Sequence, residues 1–105
     1  KLHLKISRDP FVSKFFNAVW ALASHDKAVE RLLNEVYESD CLRYAGFIQR
    51  ANPKLTKKTC ELRATLILAQ LEGLVLLVAP GRAKEKSIRA IERELTRFID
   101  IAIFS

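Results

Sequence analysis

The sequence predicts an all-α domain, on three observations. Apolar residues recur at three- and four-residue spacing along most of the chain, the period of a helix face. Three Gly and three Pro in 105 residues supply too little turn chemistry for a multi-stranded protein. The prolines also stand at breaks between periodic runs, in Asp9-Pro10, Asn52-Pro53 and Pro80-Gly81. Four helices joined by short connections follow, and they predict a four-helix bundle.

Residues 1–8, KLHLKISR, alternate as a short strand would but have no partner strand, and they are taken as a connector. Asp9-Pro10 offers a capping carboxylate and a proline at the first helical position. Val12, Phe15, Phe16, Val19, Trp20 and Ala23 then define a first helix, about Pro10 to Ser24, with a broad aromatic face. Asp26 is the expected cap of a second helix that runs to about Gln49, with Val29, Leu32, Leu33, Val36, Tyr37, Cys41, Tyr44, Phe47 and Ile48 as its apolar positions. Asn52-Pro53 ends it, because the residue before proline is pushed out of the helical region.

The third helix starts near Lys54 or Thr56 and continues to Ala79. Its centre, RATLILAQLEGLVLLVA, carries leucines, isoleucine and valines on every side of a 3.6-residue turn, so it needs cover all round. A bilayer is a poor cover, since a spanning helix needs about 20 predominantly apolar residues and this run is shorter and contains Glu72. The expected cover is the rest of the chain on one side and a second subunit on the other. The fourth helix starts near Lys84 and repeats Ile88, Ile91, Leu95, Phe98 and Ala102 at 3-4-3-4 spacing, the seam of a helix packed nearly antiparallel on another.

Length and composition set further bounds. One domain of 105 residues, half of them hydrophobic, is globular rather than disordered. The net charge of +6 is spread over every segment with acidic residues among the basic ones, the pattern of solvated helix faces rather than a nucleic-acid stripe. The chain has no methionine, so the expectation is a cytoplasmic protein lacking an N-terminal part. Cys41 and Cys60 have no framework spacing and are expected to be reduced and packed as small hydrophobes.

No chemistry of an enzyme emerges. His3 and His25 lie in connectors, no Cys or His pair has ligand spacing, and no phosphate-cradling glycine loop or nucleophile triad is present. Neither a metal nor another cofactor is expected. Glu72 is the anomaly, because a carboxylate among leucines needs a partner. Either an arginine such as Arg63, Arg93 or Arg97 pairs with it, or it recognises a donor or cation on a ligand. Gly73 beside it costs about 1 kcal/mol in mid-helix relative to alanine, which fits a close backbone approach. The aromatic residues of the first two helices either pack a core or wall a ligand pocket with Gln70 and the tyrosine hydroxyls as its polar groups.

Three pieces, DPFVSKFFNAVWALASHDKAVERLL, RATLILAQLEGLVLLVAPG and the closing amphipathic helix, together resemble the C-terminal domain of TetR-family transcriptional regulators. The likeness covers about residues 9–105. It implies a four-helix regulatory domain in which the last two helices pair with their two-fold mates as an intersubunit four-helix bundle. It further implies an absent helix-turn-helix domain through which alone DNA is bound, and a small apolar or amphipathic effector that alters DNA affinity allosterically. The implied ligand-binding residues are Phe15, Phe16, Val19, Trp20, Tyr37, Tyr44, Phe47, Leu66 and Gln70. Those expected at the dimer interface are Leu68, Gly73, Leu77, Ile88, Ile91, Leu95, Phe98 and Ala102, so that charge at Leu95 should give a monomer or an aggregate. The competing expectation is a constitutive homodimeric helical module with no small-molecule effector, and neither reading places the chain in a membrane.

Overall fold

The computed structural model describes residues 10–77 and 85–105. The connector 1–8, the Asp9 cap and the Pro80-Gly81 break lie outside them, as does the side chain of Leu77. Four helices account for almost all the described residues: α1 (Pro10–Ala23), α2 (Lys27–Ala51), α3 (Lys57–Leu77) and α4 (Glu85–Phe104). The all-α prediction is what the chain adopts.

Local chemistry fixes the helix ends. The Asp26 carboxylate accepts hydrogen bonds from the backbone N–H groups of Ala28 (2.9 Å) and Val29 (3.3 Å), satisfying donors that the first turn leaves without partners. At the far end of α2, Asn52 leaves helical geometry ahead of Pro53 while its N–H still bonds to the Ile48 carbonyl. Thr56 then opens α3, its hydroxyl accepting from the N–H of Thr59 and its carbonyl from that of Cys60. Pro53 therefore serves as a corner between two long helices.

The centre of the fold is the α2–α3 pair. Ala45, Cys60 and Ala64 are buried where these helices meet, and their small size lets the backbones approach closely. Ile48 and Ile67 join them from α2 and α3, Leu95 and Ile99 from α4. The tail of α4 is also held by polar bonds. Asn52 Nδ2 donates to the Ile103 carbonyl at 2.9 Å and Arg63 Nη1 to the Ala102 carbonyl at 2.8 Å. These are carbonyls that a helix C-terminus leaves unbonded, and the guanidinium charge sits at the negative end of the helix dipole.

The four helices do not close into a two-by-two bundle. Both α1 and α4 touch the central pair, but they make no contact with each other. The Cα positions span 14 Å in the thinnest direction, the depth of two helix layers, since Cα atoms lie about 2.3 Å from a helix axis and packed axes about 8–10 Å apart. With α1 and α4 out of contact, outer faces of the helices stay uncovered. The apolar core is correspondingly small, and large hydrophobic side chains remain exposed on all four helices, Phe11 on α1, Leu32 on α2, Leu66 on α3 and Phe98 on α4 among them.

Candidate functional site: the open α3–α4 face and the Tyr37 cluster

Between α3 and α4 lies a groove of about 460 Å³, walled by Ala69, Gln70, Gly73 and Leu74 on one side and by Ala90, Ile91, Glu94, Leu95 and Phe98 on the other. Its character follows from the sequence of each wall. Alanines at 69 and 90 and glycine at 73 remove bulk, whereas Phe98 projects from the rim and is 57 % exposed. Gln70 and Glu94 supply the polar edge. Among the described residues, a Cβ placed on Gly73 would meet nothing within 4 Å, so their packing does not call for glycine here.

This face overlaps the expected dimer seam but is rotated from it. Gly73, Ile91, Leu95 and Phe98 do line the groove. Ile88 and Leu95, however, are 3 % and 4 % exposed and are covered by the chain itself. Ala102 packs half-buried against the same core, and Leu68 faces a different cleft. The outward residues of α4 are instead Phe98, Ile101 and Phe104. The 3-4-3-4 repeat thus belongs largely to the subunit's own core, with the exposed apolar positions beside it.

The residues expected around a ligand do not surround one cavity. Phe15 is exposed and stacks on Phe11 (5.9 Å between centroids) and edge-on to Phe16. Phe16 and Val19 are half-buried, and Trp20 is 47 % exposed. Tyr44 packs on the core with the Arg43 guanidinium over its ring. Phe47 lies under the Arg50 guanidinium at 4.8 Å and points outward. Leu66 is 67 % exposed and Gln70 belongs to the α3–α4 groove. Apart from the neighbouring Phe15 and Phe16, the pair that comes together is Trp20 and Tyr37, their rings stacked at 5.6 Å with 18° between planes.

Tyr37 also answers the question of Glu72. Its hydroxyl donates to Glu72 Oε2 at 2.8 Å, so the carboxylate's partner is a phenol from α2 and none of the three arginines considered. Arg63 is engaged at the end of α4, Arg97 pairs with Glu94 at 3.0 Å, and Arg93 is exposed. The geometry explains the correction: this turn of α3 directs residue 72 toward α2, away from α4.

Burial pushes the Tyr37 phenol up from its ordinary value of 10 to about 12, reinforced by the hydrogen bond to Glu72 and by that carboxylate's charge, with Asp40 adding to the effect and Trp20 opposing it. Because the folded value is raised, the protonated phenol is favoured by folding. Its stabilisation is complete below pH 10 and disappears as pH rises through about 12. An absorbance titration at 295 nm should show a phenol ionising near pH 12, and Tyr37→Phe should remove that step. Ionisation of every phenol near pH 10 in the folded chain would contradict the contact.

A second cleft, about 530 Å³, runs between α2 and α3 and includes Tyr37, Cys41, Leu42, Lys58, Glu61, Leu62, Thr65 and Leu68. Cys41 Sγ lies 3.1 Å from Thr65 Oγ1 and 3.5 Å from the Glu61 carbonyl. Cys60 is fully buried, and both cysteines are unpaired thiols. Sequence reasoning missed this cleft because it arises from the crossing of two long helices. No grouping of three or more metal-binding side chains occurs among the described residues, and none of their helices is long and apolar enough to cross a membrane.

No protein-family model, curated protein or solved structure matches the chain. What fold and site define is an all-α domain with an apolar groove between α3 and α4 and a Trp20–Tyr37–Glu72 row of contacts joining three of its helices.

Proposed function

We propose that this chain is the dimer-forming regulatory domain of a TetR-like transcriptional regulator, and that two copies meet through the α3–α4 face. The observation that carries the reading is Gly73. A mid-helix glycine costs about 1 kcal/mol relative to alanine, no described residue occupies its Cβ position, and it sits in an apolar groove. A helix from a second copy approaching the bare backbone accounts for all three. The exposed apolar positions of α3 and α4 give that contact a dry centre, with Gln70 and Glu94 at its rim. Self-association by a two-fold operation uses the same patch twice, which suits a face carrying both a hollow and a projecting ring.

In this reading DNA is bound by a helix-turn-helix domain encoded ahead of Lys1, and a small apolar or amphipathic effector modulates it. The place this reading assigns to such a molecule is the α2–α3 cleft, where Leu42, Leu62 and Leu68 stand beside Tyr37, Glu38, Lys58 and Glu61, a lining suited to an amphipathic ligand. A second reading, a constitutive homodimeric module without an effector, is favoured by the dispersal of the aromatic residues away from a common cavity. The coding sequence upstream of Lys1 separates the two: a helix-turn-helix segment is expected, and a start codon directly before Lys1 overturns the regulator reading.

The dimer surface has its own test. Gly73→Leu is expected to leave the helical circular-dichroism signal intact, since open space receives the side chain, while weakening the dimer about tenfold or more in sedimentation equilibrium. A variant that dimerises as tightly as the wild type would remove Gly73 from the interface.

A further inference from the structure

Glu72 and Gly73 are consecutive, and consecutive residues lie about 100° apart around a helix. One turn of α3 therefore offers a carboxylate to α2 and a bare backbone to the α3–α4 groove. From Leu71 to Leu76 each residue of α3 is half-buried among the described residues; Leu71 and Leu74 pack against the core, but none of the six is as fully covered as Ala64 or Ile67. Segments with few buried contacts open at lower free energy than the core.

The helix at the other end of the contact is also weakly held. Ala23, in its last turn, is the buried residue among the described side chains of α1. The specific ties of α1 to the body include the Trp20 ring on Tyr37, and Tyr37 is itself fixed by Glu72. Three helices are thus linked in a row, Trp20 to Tyr37 to Glu72, and the row ends one residue from the groove.

We infer that covering the α3–α4 face of this chain with a second copy locks α1 onto the body, through the Trp20–Tyr37–Glu72 row. This rests on the dimer reading above and adds the regulation that goes with it. A partner seated on Gly73 orders the half-covered end of α3; an ordered Glu72 holds the Tyr37 hydroxyl, and a fixed phenol gives the Trp20 indole a rigid platform. When the partner leaves, α3 loosens from residue 72 onward and α1 loses its platform without the core being touched. Ordering at one site that lowers the cost of ordering at another is a coupling free energy, and such coupling is reciprocal. Docked α1 must therefore tighten the dimer.

The test uses hydrogen exchange of the 105-residue chain across the concentration range in which sedimentation shows the dimer dissociating. Trp20, the chain's single tryptophan, gives a parallel reading by its emission. In the wild type, α1 amides should exchange about tenfold faster in the dilute monomer, with little change around Ala45, Cys60 and Ala64. Tyr37→Phe, which keeps the ring for stacking and removes the hydroxyl, should make α1 exchange fast in both states and weaken the dimer about fivefold or more, the lower end of typical coupling. Leu32→Ala, an exposed position on α2 outside the row, should do neither. A dimer whose α1 protection does not change on dissociation, or a Tyr37→Phe dimer as tight as the wild type, overturns the inference alone. A chain that stays monomeric at every concentration overturns the dimer reading and this inference with it.

Discussion

Leu95→Glu is expected to unfold the chain, not to separate two folded subunits. Leu95 is 4 % exposed and belongs to the core with Ile48, Ile67 and Ile99. Replacing it removes a buried leucine, a loss of about 2–5 kcal/mol when truncated to alanine, and places a carboxylate in that apolar core, which costs several kcal/mol more unless the carboxyl is paired, neutralised or reaches water. The total stability of a domain is about 5–15 kcal/mol, and a core this small belongs toward the lower end of that range. Loss of most of the 222 nm circular-dichroism signal at 25 °C is the expected result. A fully helical variant with an unchanged melting curve would mean that Leu95 faces a partner after all, as its place in the heptad-like repeat suggested.

That repeat shows what a sequence can and cannot say. Spacing at 88, 91, 95, 98 and 102 marks the apolar side of α4, because only residues three and four apart share a face. It does not say whose surface covers that side. The chain itself covers Ile88, Leu95 and Ile99, while Phe98 and Ile101, a step around the same helix, stay outside. For α3 even the side was not legible, since its apolar residues point all round and nothing in their order marks the one that meets α2. The helix ends were legible for the opposite reason: Asp26, Asn52-Pro53 and Thr56 act on backbone groups two to four residues away, so the cause and the effect lie within one short window.

Glu72 marks the same boundary from the polar side. That a carboxylate among leucines needs a donor was legible from composition, and the donor's identity was not. Tyr37 is 35 positions away, and it reaches Glu72 only because the Pro53 corner folds α2 back along α3. An arginine was the chemically stronger candidate, but Arg97 pairs with Glu94, Arg93 is exposed, and Arg63 is committed to the Ala102 carbonyl of α4. Aromatic residues misled for a related reason. Their density on α1 and α2 reflects broad apolar faces, and with α1 and α4 out of contact many of those faces turn outward instead of toward a common interior.

Phe98→Glu should have the effect once expected of Leu95: a folded monomer. The ring is 57 % exposed at the rim of the α3–α4 groove, so the subunit loses little by giving it up, and the helical signal should stay within a few per cent of the wild type. In a two-fold dimer each substitution enters twice. Two aromatic anchors are lost, each typically costing 2 kcal/mol or more at the centre of an interface, and two carboxylates are brought toward a dry seam near Glu94, where each adds like charge. At about 1.4 kcal/mol per factor of ten, dissociation should become at least about 100-fold easier. Sedimentation equilibrium with circular dichroism on the same samples decides it: a helical monomer places the seam on this face, an unfolded chain places Phe98 in the core, and an undisturbed dimer moves the interface to the exposed apolar positions of α1 and α2.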